Sequence, residues 1–119
     1  MKEITEDYVS FETAKLLKEK GFKSDDCHTA YDENGQFFWY GDYSKDRKGA
    51  VDAPTLQMAM KWLREVHNIF ISIQQHMDMS YVWYVYNDGY PKGCDRESHN
   101  NTYEQACEIA IKYVLENLI

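Results

Sequence analysis

The sequence predicts an α+β fold: three helices packed on an antiparallel sheet of about four strands, built from two hairpins, in the order α-β-β-α-β-β-α and sandwich-like. Three observations carry this reading. Ser10-Phe11-Glu12-Thr13-Ala14, Thr55-Leu56-Gln57-Met58-Ala59 and Thr102-Tyr103-Glu104-Gln105-Ala106 repeat one helix-start pattern. In each, a Ser or Thr can cap the free amides, and Glu or Gln occupies the positive first turn. Between these starts, apolar residues alternate through Ile69, Ile71 and Ile73, and Tyr81 to Tyr86 reads as a partner strand, the pattern of a half-buried hairpin. Asn34-Gly35 and Asp88-Gly89 mark tight reversals, because these pairs accept the backbone angles that hairpin turns require.

Each element follows in order. In the first helix Phe11, Ala14 and Leu17 line one face with Leu16 beside them, Glu12, Lys15 and Glu19 take the other, and Gly21 ends it. His28 to Tyr31 and Gln36 to Tyr40 flank Asp32-Glu33-Asn34-Gly35, where Asn-Gly supplies positive backbone angles for a hairpin. From Gly41 to Asp52 the chain is polar and reads as a mobile surface loop. Ala53-Pro54-Thr55 opens the second helix, with Thr55 as cap. Its apolar stripe is Leu56, Ala59, Met60, Leu63, Val66 and His67, widened by Met58 and Trp62, and a stripe so wide must pack on a sheet. A second hairpin has His76 to Ser80 as its connection. Asn87 to Asn101 reads as a long turn-rich loop with room for a short edge strand. In the closing helix Tyr103, Ala106, Cys107, Ala110, Ile111, Val114 and Leu118 recur at helical spacing, and Glu108 and Lys112 can pair across one turn. The two hairpin-plus-helix halves share this layout with little residue identity.

Composition narrows the function. A length of 119 residues, 44% of them hydrophobic, fits a single domain over residues 1–119 that folds without a metal or a disulfide. A balance of 13 basic against 20 acidic residues, net −7, repels phosphate backbones and anionic lipid. Three cysteines, Cys27, Cys94 and Cys107, form no close pair, and no signal-like N-terminus precedes them, so a cytoplasmic setting is expected. The apolar runs are far short of a membrane span.

The segments Val9 to Phe22, Ala53-Pro54-Thr55 through Asn68, and Ala110-Ile111-Lys112-Tyr113 to Leu118 resemble small proteins encoded in prophage and phage-like regions of gut anaerobes. The layout is similar to the phage α/β/α sandwich domain, in which a Thr-led helix feeds a hairpin and a second Thr-led helix closes the fold. The likeness covers the three helices; Lys23 to Val51 and Gln74 to Asn101 carry no motif of it. It implies a phage accessory role without known chemistry, and no catalytic residues to carry over.

The residues themselves give no catalytic centre. Cys27 and His28 could join Cys94 and His99 as four metal ligands if their loops meet, but neither spacing is that of a structural zinc site, so no metal or cofactor is expected. Cys107, on an apolar stripe, reads as a small core residue. The chain has no Gly-x-Ser-x-Gly elbow, phosphate loop or dinucleotide fingerprint. Glu12, Glu104 and Gln105 suit helix starts, and His67 suits a helix C-terminus in its cationic form.

The aromatic load points to recognition. Phe37, Phe38, Trp39 and Tyr40 share one predicted strand and Tyr81, Trp83, Tyr84 and Tyr86 another, and alternation sends these rings to both faces of the sheet. Either helices cover both faces and the rings are core, or one face is open. An open face serves as a protein interface or as a stacking platform for single-stranded nucleic acid. The negative charge favours the protein, because Lys45, Arg47 and Lys48 are the one tight basic cluster and Asp42 and Asp46 dilute it. The expectation is a non-enzymatic protein that binds another protein or itself, with Trp39, Tyr40, Trp83, Tyr84, Arg47 and Lys48 as contact residues. Single-stranded nucleic-acid binding and acidic mimicry of DNA are the alternatives.

Overall fold

The computed structural model describes residues 3–23, 26–40, 49–95 and 100–119. Among them the chain runs α1 (Phe11–Glu19), β1 (Thr29–Tyr31), β2 (Phe37–Trp39), β3 (Val51–Asp52), α2 (Leu56–His67), β4 (Ile69–Gln75), β5 (Tyr81–Asn87), β6 (Tyr90–Cys94) and α3 (Tyr103–Asn117). This is an α+β fold with both expected hairpins between the expected helices. In place of one sheet of about four strands there are two antiparallel sheets of three, ordered β2-β1-β3 and β4-β5-β6. Each hairpin recruits a further strand from a segment that reads as loop. The central strand is the first of its three in one sheet and the second in the other, so the halves share a layout but not a strand order.

The helix starts follow their sequence pattern. Ser10, Thr55 and Thr102 side chains accept hydrogen bonds from the amides of Thr13 (3.2 Å), Met58 (3.1 Å) and Gln105 (3.0 Å), which satisfies donors that the helices cannot pair internally. Past the end of α1, the Phe22 amide donates to Leu17 O (2.9 Å) and the Gly21 amide to Lys18 O (3.1 Å), a Schellman closure anchored by the buried Phe22 ring. α2 stops where Asn68 takes a left-handed conformation (φ 57°).

The first hairpin pairs Thr29 with Trp39, Ala30 with Phe38 and Tyr31 with Phe37. Its turn differs from the expected one: Gly35 has positive φ, but Asn34 does not. The Asp32 carboxylate accepts from the amides of Asn34 and Gln36, both at 2.9 Å. Those bonds hold a wider turn in which Gly35 alone needs the left-handed region. The region read as a loop from Gly41 to Asp52 is corrected at its end, where Val51 and Asp52 pair with Tyr31 and Ala30. Two residues are too few to show a period. Residues 41–48 lie outside the described residues.

β6 rises from the other loop. Asp88 (φ 50°) and Gly89 (φ 86°) both take positive angles, the two-residue turn that folds Tyr90 back onto Asn87. Pro91 and Gly93 disguise this strand in the sequence, and each has a reason to be there. Proline is tolerated on a sheet edge. A Cβ at Gly93 would stand 2.6 Å from the Tyr113 ring, so only glycine lets α3 approach β6 this closely.

α3 lies at the centre, packed on α1, α2, β4 and β5. Its Ala106, Cys107, Ala110, Ile111, Val114 and Leu115 join Leu17, Leu63, Ile69, Ile71, Trp83 and Val85 in one continuous buried cluster. Burial of each large aliphatic side chain contributes about 1.5–3 kcal/mol. Val66, placed on the apolar stripe of α2 by its spacing, is 59% exposed, since the helix ends one residue later at His67. The expected Glu108–Lys112 pair is also corrected. Lys112 instead bridges to Glu12 of α1 at 3.0 Å, and Glu108 serves the start of α1. Its carboxylate accepts from the Ser10 amide (3.2 Å), the Thr13 hydroxyl (2.6 Å) and the Ser10 hydroxyl.

Candidate interaction surface

Alternation along β4 and β5 sorts their side chains onto two faces. Ile71 pairs with Val85 and Ile73 with Trp83 on one face; Phe70 pairs with Tyr86 and Ser72 with Tyr84 on the other. The first face meets α2 and α3 and contributes to the core. The second face carries no helix among the described residues. Phe70 is 50% exposed there, and Tyr84 and Tyr86 are half-buried beside it. β6 extends the open face with Pro91 opposite Tyr86 and Cys94 opposite Tyr84.

No charged residue holds a register position on this face. Lys92, the nearest, is the extra residue of a bulge between Gly93 and Pro91, and its carbonyl accepts the Tyr113 hydroxyl at 3.2 Å. Charges collect at the rim, where Arg64, Glu65 and Asp88 border a shallow groove of about 530 Å³ beside Phe70 and Tyr86. A second groove, about 570 Å³, runs past Tyr84, Tyr86, Pro91 and Tyr113 and has Lys92 in its wall, on the edge strand β6. An apolar, ring-bearing centre with charge held to the edge is the composition of a protein contact surface.

The first sheet carries a smaller ring surface. Trp39 is 65% exposed and meets Tyr8 edge-on at 6.3 Å; Tyr8, Phe37, Tyr31 and Phe11 continue the row at 5.0–5.6 Å. Trp39 also overhangs a recess of about 130 Å³ lined by Cys27, Pro54 and Met58.

The six residues expected to make contacts therefore separate. Trp39 and Tyr84 face solvent, on different sheets. Trp83, only 5% exposed, is corrected to a core residue: it shares the parity of Val85, on the helix-covered face, and packs on Tyr113 at 5.0 Å. Tyr40, 3% exposed, is also corrected, because it follows Trp39 by one position and turns inward to donate its hydroxyl to Asp52. Burial and then the Asp52 bond and charge push the Tyr40 phenol far above its usual range. Arg47 and Lys48 lie outside the described residues. Phe70 and Tyr86 complete the open face. Both were within reach of sequence reasoning: Tyr86 has the parity of Tyr84, and Phe70 stands with Ser72 and Gln74 between the alternating Ile69, Ile71 and Ile73.

The thiols and hydroxyls are otherwise engaged. Cys27 is buried and donates to Thr29 O (3.3 Å), while Cys94 lies on the other sheet and His99 outside the described residues. No group of three His, Cys, Asp or Glu residues comes together among the described residues. Burial raises the Cys107 thiol to about 11, which keeps it protonated and unreactive. Glu108, with Ser10 and Thr13 around it, works as a tertiary cap on α1. Tyr31 stands nearby, its phenol raised by burial and then by the Glu108 charge, and donates to Val9 O at 2.6 Å. No helix among the described residues is long and apolar enough to cross a membrane. The chain matches no known protein family, no curated protein and no solved structure compared with it.

Proposed function

We propose that this chain is a non-enzymatic binding protein that takes a protein partner on the open face of β4-β5-β6. The observation that carries the reading is that no helix among the described residues covers that side of the sheet, which leaves Phe70, Tyr84 and Tyr86 without a charged neighbour in register. Tyrosine and phenylalanine suit such contacts because a rigid ring loses little entropy and gains a large dry area. Stacking of single-stranded nucleic acid on the same rings is disfavoured, since that mode needs a basic groove to follow the phosphates. Among the described residues the face offers none, and the chain carries a net charge of −7. The resemblance of the helices to phage-encoded small proteins supports an accessory role, and an odd count of three cysteines with no close pair in the sequence favours a reducing cytoplasm.

The test compares capture from a lysate of the source organism by the wild type and by a Phe70→Ser/Tyr86→Ser variant, with and without a competing oligonucleotide. Both changes lie on the open face, and circular dichroism checks that the fold survives. The expected result is one captured protein, lost with the double variant and indifferent to the oligonucleotide. Equal capture by both proteins, or release by the oligonucleotide, would overturn the reading.

A further inference from the structure

We infer that the outer edge of β4 takes a second copy of this chain, strand against strand, in one two-fold register centred on Ser72. The inference rests on the reading above and names a partner for it. Hydrogen-bonded and non-bonded pairs alternate along an antiparallel ladder. The bonds at both ends of the β4-β5 ladder fix that alternation. The Asp88 amide donates to Asn68 O (3.3 Å), and the His76 amide donates to Ser80 O (2.9 Å). With Ile69 opposite Asn87 and Gln75 opposite Tyr81, counting inward from either end gives the same assignment. Phe70, Ser72 and Gln74 turn their backbone groups toward β5; Ile69, Ile71, Ile73 and Gln75 turn theirs outward. Among the described residues β5 is the only strand beside β4, and no other backbone group bonds to those four.

The two edges of this sheet are unlike. β6 carries Pro91, which has no amide, and the Lys92 bulge, two of the devices that block pairing at a sheet edge. β4 has neither: its seven residues, Ile69–Gln75, keep an unbroken register and include no proline and no charge. The run from Val66 to Met77 is the longest in the chain without Asp, Glu, Lys or Arg. On a protein of net charge −7, this is where two copies can approach without setting acidic groups against each other.

The outward groups also select the occupant. In the two-fold register about Ser72, Ile69 stands opposite Gln75 and Ile71 opposite Ile73, each pair occurring twice, so every outward backbone group finds a partner. Ile71 and Ile73 meet on the core side, Phe70 meets Gln74 on the open side, and no like charges oppose. Met77, fully exposed at the hairpin tip, is carried to the corner of the other copy where α2 ends and Val66 is uncovered. The paired sheets have six strands, and two open aromatic faces become one.

Sedimentation across a wide concentration range is the test. The wild type is expected to move from its 14.1 kDa monomer mass toward twice that value. Ser72 lies on the open face, opposite itself in this register, so Ser72→Lys and Ser72→Glu each place like charges face to face and weaken association up to roughly fivefold. An equimolar mixture of the two restores it. Ser72→Cys cross-links to itself under mild oxidation, whereas Gln74→Cys, opposite Phe70, does not, and the parent protein controls for its own thiols. A wild type that stays monomeric throughout, or a dimer that neither Ser72 charge alters and Ser72→Cys does not cross-link, overturns the inference. A monomer that still captures a partner through Phe70 and Tyr86 removes self-pairing alone. A dimer with the predicted Ser72 behaviour, whose capture is indifferent to the face variant, removes the binding reading alone.

Discussion

Replacing Trp83 with alanine should cost about 3–5 kcal/mol of stability, the range for truncating a buried Trp or Phe. Trp39→Ala should cost about 1 kcal/mol or less. The difference follows from position: Trp83 is 5% exposed and lies against Tyr113 in the central cluster, whereas Trp39 is 65% exposed and touches Tyr8 by one edge. Trp83 adds a sharper case, because its indole Nε1 is buried without a hydrogen-bond partner. An unpaired buried donor is destabilising by about 1–3 kcal/mol. Trp83→Phe removes that donor while keeping an aromatic ring in the site, so the two effects oppose, and the net loss should be about 1 kcal/mol, well below that of alanine. Urea unfolding followed by far-UV circular dichroism reads all three variants, provided the denaturant slope stays constant. A Trp83→Ala loss below about 1 kcal/mol, or a Trp39→Ala loss above about 2 kcal/mol, would refute the assignment of core and surface.

Two further outcomes test the cap on α1 and the buried phenol. Glu108→Ala removes the acceptor shared by Ser10 and Thr13 and should lower stability by about 1–3 kcal/mol, because the fully buried Thr13 hydroxyl loses the carboxylate it donates to; Glu108→Gln should recover part of this in the same urea assay, since an amide oxygen still accepts but brings no charge to the start of α1. Stability should fall as pH rises above 10, where an unfolded tyrosine at its ordinary 10.0 releases a proton that the raised Tyr40 still holds, so the unfolded state binds fewer protons. The Cys107 thiol, raised from 9.0 to about 11, adds to this from pH 9 upward, and Tyr40→Phe should flatten the fall measured from melting temperature against pH.

The helices were legible because their signals are local. A cap hydroxyl and an amide three residues on suffice to place a start, and all three starts stand where Ser10, Thr55 and Thr102 put them. The hairpins were legible from period and turn residues, except that Asp32 reshaped the first turn. The division into two sheets was not legible. β3 is two residues long, and β6 contains the Pro and Gly that ordinarily argue against a strand. Which rings face solvent was hidden for a different reason. From Tyr81 to Tyr86 every residue is aromatic or valine, so alternation is present but no polar residue marks the wet face. Trp83 and Tyr84 become distinguishable only when the register ties Trp83 to Ile73 and Tyr84 to Ser72.

One-sided cover follows from how the helices are shared. α1 leans on β3 of the first sheet and on α3, while α2 and α3 pack on β4 and β5. Each helix has one apolar stripe, and α2 and α3 turn theirs to the same side of the second sheet, in contact with each other. Covering its far side would take another amphipathic helix, and the sequence writes only three starts. The face left over is diluted with polar groups that carry no charge: Ser72, Gln74 and the hydroxyls of Tyr84 and Tyr86 lie among its rings. Charged residues in those places would keep the face wet and partners away, and leucines would drive indiscriminate aggregation. Rings with hydroxyl tips do neither, since they exchange water for a partner at little desolvation cost when that partner supplies hydrogen bonds. In the proposed binding mode, selection among partners falls to the charged rim of Arg64, Glu65 and Asp88, where like charge repels the wrong surface before the rings can dock.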